Sequence, residues 1–192
     1  MHHRNKPAAG IARFAALVLA AAMPAAPLSA LAQHAHGTLT AVAELEAKSG
    51  SAVAGKLTFS EMPGKGVHIE GRVSGLAPGK HGFHIHTNGN CDSPDGMSAG
   101  GHFAPTGGRH GAPSDKERHP GDLGNIVANA EGVADVDVMA HGLTITLMGK
   151  SSIGERSIVI HANEDDFSDP AGNSGARVAC GYIDLVELHM RM

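Results

Sequence analysis

The chain has 192 residues and a formal net charge of −4, with 42% hydrophobic and only 3% aromatic residues. This length suits one domain with a hydrophobic core, in which aliphatic side chains must do most of the packing. The excess of acidic groups argues against nucleic acid and against an anionic membrane surface as partners.

Residues 1–32 have the features of a secretory signal peptide. An apolar run over 14–23 precedes the small-residue cleavage pattern Ala30-Leu31-Ala32, and the segment contains three basic residues, Arg4, Lys6 and Arg13. The run is too short to span a membrane, and no cysteine follows it directly to carry a lipid. We therefore expect an exported mature domain of 33–192 without a membrane anchor, located in the periplasm of a bacterium.

Loss of this segment makes the mature chain more acidic. Removal of the three basic residues leaves 12 basic against 19 acidic side chains, a net charge of −7.

Alternation of apolar and polar residues recurs along the mature chain and predicts strands. The alternating stretches are 39–45, 53–59, 67–73, 81–85, 126–128, 136–138, 143–147, 158–160 and 178–182. Twenty-six glycines and ten prolines supply the turns. About eight strands without helices indicate an all-β fold, either a β-sandwich or a flattened barrel. None of the predicted strands shows an obvious apolar face for a partner.

Two long connections interrupt the strands, at 87–121 and 163–176. The first is rich in glycine and proline, and the second is acidic. Connections of that length in a compact domain are usually functional or disordered. The histidines of the first connection suggest that a metal ion orders it.

The two cysteines, Cys91 and Cys180, form an even pair in a chain that we expect to be exported. An oxidising compartment favours a disulfide between them, with two free buried thiols as the alternative.

His84 and His86 lie two residues apart on a predicted strand. Side chains at that spacing share one face, roughly 6.6 Å apart along the strand, with Ile85 pointing to the core. Imidazole ligands in a square arrangement suit copper(II). The pair alone would be interpreted as a solvated face, but further candidate ligands follow it.

Those further candidates are three histidines and one aspartate, His102, His110, His119 and Asp122. Together they offer three nitrogens and one oxygen, a tetrahedral set that suits zinc. Any one of these loop histidines could be a surface residue, whereas the joint pattern favours a metal site.

Five motifs resemble those of the copper/zinc superoxide dismutases, in particular the exported bacterial type. They are Gly82-Phe83-His84-Ile85-His86, Gly101-His102-Phe103, the segment His119–Asn125, Val159-Ile160-His161 and the segment Gly172–Ile183. The resemblance spans 37–186 in order, and Cys91 is placed as in the bacterial branch.

The resemblance implies an eight-stranded Greek-key sandwich and two metal ions. Copper would be bound by His84, His86, His102 and His161. Zinc would be bound by His102, His110, His119 and Asp122, with the imidazolate of His102 as the bridge. Asp165 would orient ligand histidines of both metals, and Arg177 would bind the substrate anion. His81 would be a structural neighbour of the copper strand.

The implied reaction is dismutation of superoxide to oxygen and hydrogen peroxide, in which His102 takes up and returns a proton. The family's steering lysine, which would attract the substrate anion, has no counterpart in 163–176. Only Arg109, Lys116 and Arg118 could replace it by position.

The alternative functions are a metal store or copper chaperone without turnover and a plain adhesive sandwich. A monomer or a homodimer is expected. The remaining histidines are interpreted as surface residues (His68, His141 and His189) or as a mobile N-terminus (His34 and His36).

Overall fold

The computed structural model describes residues 39–186, which all belong to one compact unit. Nine strands and one turn of 3-10 helix, at Met97–Ala99, make up the regular structure of this part of the chain. The strands are β1 (Thr40–Ala47), β2 (Ala54–Met62), β3 (Gly66–Ser74), β4 (Gly79–His86), β5 (Asp122–Ala128), β6 (Ala134–His141), β7 (Ser157–His161), β8 (Arg177–Tyr182) and β9 (Asp184–Val186). Within 39–186 no helix has the length and hydropathy needed to cross a membrane.

Eight strands form the flattened antiparallel barrel that the sequence predicts. Their order is β5-β4-β7-β8-β1-β2-β3-β6, and β9 adds a short ladder to β1. The two halves join where the end of β1 pairs with β8. The pairs β3–β6 and β4–β7 join strands that are not consecutive in the chain, which gives the Greek-key connectivity.

The core lies between the two halves and is mainly aliphatic. In β1 to β3 alternate side chains are buried, as the period-two pattern predicts. β4 differs, because every residue from His81 to His86 is buried. One face of β4 packs Phe83 and Ile85 into the core, while the long connections before β5 and after β7 cover its other face.

The predicted strand at 143–147 is wrong. Leu143 and Ile145 are buried but Leu147 is 61% exposed, and the segment makes only an isolated bridge from Thr144 to Ser152. Thr144 bonds to the backbone of Ser151 and Ile153, and the Ile145 N–H donates to the Glu61 carboxylate of β2 at 2.9 Å.

An apolar groove lies at the start of β1 and along β9, contrary to the expectation of no such face. Its volume is about 520 Å³, and its apolar lining includes Leu39, Leu147, Tyr182 and Val186. Part of the lining comes from β9, which the strand pattern missed, and from 143–147, which the pattern assigned as a strand.

Candidate metal centre

Seven side chains form two adjoining groups that could each hold a metal ion. The first group is His84, His86, His102 and His161, and the second is His102, His110, His119 and Asp122. Within each group the potential ligand atoms lie within 4.8 Å of one another. His102 belongs to both groups, so one imidazole ring separates them.

Two strands, β4 and β7, and one loop bridge position the first group. His84 and His86 project from the same face of β4, with ring centroids 6.4 Å apart. His161 ends β7 at a register shift between Ile160 and His161, the kind of irregularity that redirects a side chain. His102 reaches the group from the first long connection through a bridge to His86.

The hydrogen bonds of the first group leave one free nitrogen on each of three buried rings. His86 Nδ1 donates to the Gly100 carbonyl at 2.9 Å, and His161 Nδ1 donates to Gly175 at 3.2 Å. His84 Nε2 donates to Asp165 at 2.8 Å. The opposite nitrogens, His86 Nε2, His161 Nε2 and His84 Nδ1, are buried without a partner. Buried unpaired acceptors are costly, and a metal ion that prefers imidazole would satisfy all three.

Burial also keeps these rings neutral, which is the form that binds a metal. Burial, together with the nearby His84, lowers the pKa of His161 to about 3. Burial likewise places the pKa of His86 well below its ordinary value, with His102 adding to the effect.

Asp122, the first residue of β5, organises the second group. Its Oδ1 accepts from His102 Nδ1 at 2.8 Å, and its carboxylate lies 3.3 Å from His119 Nδ1. His110 Nδ1 lies 3.0 Å from Asp122 Oδ1 but without the alignment of a hydrogen bond. Three imidazoles and one carboxylate are a donor set that zinc accepts. Because His102 uses Nδ1 on this side, its Nε2 is left for the first group.

Asp165 connects the two groups from behind. Its side chain is fully buried, and its two oxygens accept from His84 Nε2 and His110 Nε2, both at 2.8 Å. Asn125 of β5 fixes the backbone of Asp165 through two hydrogen bonds of 2.9 Å and 2.7 Å. Gly172 is required beside it, because φ is +69° there and a Cβ atom would overlap the Asp165 carboxylate.

His110 lies between two carboxylates, those of Asp122 and Asp165. Burial alone would lower its pKa, but Asp122 and Asp165 outweigh burial and raise the pKa of His110 to about 9. Burial would raise the pKa of Asp122 and of Asp165, but their histidine partners hold both well below the ordinary range.

Arg177, at the start of β8, lies beside the first group. Its guanidinium donates to the Gly96 carbonyl at 2.8 Å and to the Gly100 carbonyl at 2.6 Å. Gly100 also accepts from His86, so one carbonyl orients both side chains. Arg177 therefore bonds to backbone groups of the first connection rather than to the acidic side chains of the second.

Cys91 and Cys180 form the predicted disulfide, which joins the first connection to β8. His81, predicted to be a structural neighbour of the copper strand, lies within β4 itself. Its Nδ1 is 2.8 Å from the His161 carbonyl oxygen, and its Nε2 is 2.8 Å from that of Ala77. His68 and His141 lie outside the centre, against Asp137 and the Lys65 carbonyl. The predicted signal peptide, His34, His36 and His189 fall outside the described residues.

Residues 53–183 match the family model of the copper/zinc superoxide dismutases. The chain belongs to this family. It is 46% identical over 157 residues to superoxide dismutase [Cu-Zn] 2 of Mesembryanthemum crystallinum, covering 78% of this chain and 97% of that one. It is 43% identical over 164 residues to an extracellular superoxide dismutase [Cu-Zn] of Onchocerca volvulus, covering 79% of each.

A solved structure has the same fold. The clock protein EA4 superimposes with a TM-score of 0.69 at 35% identity, covering 77% of this chain and 94% of that one. These relatives confirm the predicted copper/zinc superoxide dismutase family, whereas the bacterial periplasmic type stays a prediction.

Sequence reasoning missed two residues that shape this dismutase centre. Asn125 lies inside a motif that pointed to the family, yet its side chain was given no role. Arg156 belongs to no motif and precedes β7; its guanidinium lies 4.1 Å from the centroid of the Phe103 ring, next to His102.

Proposed function

We propose that this chain dismutates superoxide to oxygen and hydrogen peroxide, with copper in the first group and zinc in the second. One observation carries the proposal. A single ring, His102, is shared between an all-imidazole set and a set that contains a carboxylate. These are the donor preferences of a redox-active copper ion and of zinc.

When bound in these sets, copper supplies reversible one-electron transfer and zinc supplies a fixed positive charge. Arg177 binds the superoxide anion. Two backbone carbonyls hold the guanidinium beside His86, and the remaining N–H groups of its five are left for a small anion.

His102 handles a proton at Nε2. Its Nδ1 belongs to the second group, so Nε2 is the atom at which this ring can take up a proton and return it to reduced substrate. Asp165 keeps the rings of His84 and His110 in fixed tautomers by accepting from both. Asp165 therefore keeps these two rings in place while His102 takes up and returns its proton.

The negative net charge requires local attraction of the anion. Of the three candidate residues in the first connection, Arg118 is occupied, because it donates to the Pro113 carbonyl at 3.1 Å and the His119 carbonyl at 2.9 Å. Arg109 and Lys116 are exposed. We assign steering to these two, with Arg177 as the final contact.

We further propose removal of residues 1–32 as a signal peptide and export of 33–192. The disulfide supports an oxidising compartment, and one relative is named an extracellular enzyme. The periplasm, the absence of a membrane anchor and of a nucleic-acid partner, and a monomeric or dimeric state remain predictions, to be tested by N-terminal sequencing, cell fractionation and sedimentation.

The deciding experiment is metal analysis together with a dismutase assay on the mature protein. We expect one copper and one zinc ion per chain and rapid dismutation. His161→Ala should lose copper and activity but keep zinc, whereas His68→Ala, a histidine paired with Asp137 on the other half of the barrel, should keep all three. Both metals bound without activity would indicate a metal store. A protein that binds neither metal would exclude both the dismutase and the metal store.

A further inference from the structure

We propose that Arg156 is a positioning residue for His102, the ring shared by the two metal groups. This inference rests on the proposed function. Arg156 lies outside both groups, in the turn before β7, and no family motif in the sequence includes it.

The guanidinium of Arg156 contacts the segment of His102 directly at one residue, Phe103. Its Cζ atom lies over the ring of Phe103, the next residue after His102, 4.1 Å from the ring centroid. Its NH1 donates to the carbonyl of Thr87 at 2.6 Å, and its Nε donates to Ser152 at 2.8 Å. The side chain is thus fixed by two backbone carbonyls and one aromatic face.

Thr87 extends these contacts to the two residues before Phe103. Its backbone N–H donates to the Gly101 carbonyl at 2.9 Å, and its hydroxyl donates to the His102 carbonyl at 3.1 Å. All three residues of Gly101-His102-Phe103 therefore contact Arg156 directly or through Thr87. Thr87 directly follows His86, the last residue of β4. Through Thr87, the Arg156 guanidinium therefore connects the end of β4 with the segment that carries His102.

The contacts require a planar, multiply donating cation. Desolvation lowers the pKa of Arg156, and among residues 39–186 its hydrogen-bond partners are two backbone carbonyls rather than a carboxylate. A guanidinium stacks on an aromatic face and donates in two directions at once, which a lysine ammonium does not reproduce. Phe103 is almost completely buried, so its ring gives the cation a rigid base.

The test compares copper- and zinc-loaded wild type with Arg156→Ala, Arg156→Lys and Phe103→Leu. Arg72→Ala is the matched control, because Arg72 forms an exposed ion pair with Asp135 at 3.4 Å on the other half of the barrel. The readouts are the copper(II) electron paramagnetic resonance spectrum, the rate of zinc transfer to a chelator, and the melting temperature.

We expect Arg156→Ala to shift the copper hyperfine splitting and to speed zinc loss by tenfold or more. Arg156→Lys and Phe103→Leu should each give part of that shift, and Arg72→Ala none. A lower melting temperature with unchanged spectrum and zinc loss would overturn the proposal, as would a wild-type spectrum in Arg156→Lys. If Arg156→Ala does not fold, the other two variants decide. A wild-type protein without a copper spectrum would instead contradict the proposed function.

Discussion

The backbone holds the guanidinium of Arg177 in one orientation, as its proposed role in anion binding requires. The guanidinium of Arg177 donates to two carbonyl groups of the first connection, those of Gly96 and Gly100. Both glycines have positive φ, 71° and 76°, a conformation that favours glycine. The turn that aims the carbonyls therefore depends on these two residues.

Replacement of Arg177 by Ala should lower kcat/KM by roughly tenfold or more, about 1.4 kcal/mol of lost anion and transition-state binding. Both metal sites should fill, because Arg177 is not among the seven grouped side chains. The inhibitor azide should also bind more weakly, which a titration of the copper absorption measures. Unchanged activity and azide affinity in a fully metallated variant would move the docking role elsewhere.

Asp165→Asn should weaken metal retention by about 10–100-fold. An amide has one acceptor oxygen, so it cannot accept from both His84 Nε2 and His110 Nε2 as the carboxylate does. Competition with a calibrated chelator measures the change. The control is Asp166→Asn, because Asp166 is exposed and bonds only within its loop, to Ser168 and Asn173. Equal retention in the two variants would contradict the role of Asp165.

Individual side chains of the metal centre could be predicted where strand periodicity or a motif fixes their position. His84 and His86 fall on one face because strands have period two, and the motifs supplied the remaining members of both groups. Asn125 and Arg156 were missed, because an asparagine or an arginine alone has no periodic signature. Their partners, Asp165 and Thr87, lie 40 and 69 residues away in the chain.

The strand elements were predictable where one face is buried and the other is solvated. The pattern failed in 143–147, where apolar residues at every second position belong to an irregular segment that Glu61 stabilises from β2. It also missed β9, which has only three residues. Both connections around the metal centre were predicted close to their observed limits, because long gaps between alternating runs are visible in the sequence.

The elements that carry the centre should show a stability maximum near pH 6.5 when the metals are removed by chelation. For His161 the folded pKa of about 3 lies below the ordinary 6.5, so its stabilisation is present above pH 6.5 and is lost as the pH falls toward 3. For His110 the folded pKa of about 9 is raised, so its stabilisation is present below pH 6.5 and is lost as the pH rises to about 9.

Urea midpoints of the chelated protein between pH 4 and 9.5 measure both limbs. The depressed pKa values of Asp122 and Asp165 act below this pH window, because carboxylate stabilisation is lost only as the pH falls below the ordinary value of 3.8. The acid limb measured here therefore reports the histidines. In the zinc-loaded protein the alkaline limb should disappear, because a metal-bound His110 no longer carries the extra proton. A flat midpoint between pH 6.5 and 9 in the chelated protein would refute the assignment for His110.

At the scale of the whole molecule, the disulfide joins the two parts that the active site needs together. Cys91 lies in the first connection and Cys180 in β8, 89 residues apart, and both pack with Ala99 and Val159 in a small buried cluster. Closing a loop of that length contributes roughly 4.5 kcal/mol on the chain-entropy model. Its position also holds the Gly96–Gly100 turn against the strand that begins at Arg177.

Replacement of both cysteines by serine should therefore have two separable effects, a large loss of stability and a weaker affinity for azide. Denaturant midpoints measure the first and copper-band titrations the second, on metallated protein held well below its melting temperature. If the disulfide acts on anion binding by positioning Arg177, the effects of the double serine replacement and of Arg177→Ala on azide affinity must be non-additive. In an Arg177→Ala background the double serine variant should lose stability by the same amount but lose no further azide affinity. Additive losses of azide affinity would show that the disulfide supports the anion site by a route that does not pass through Arg177.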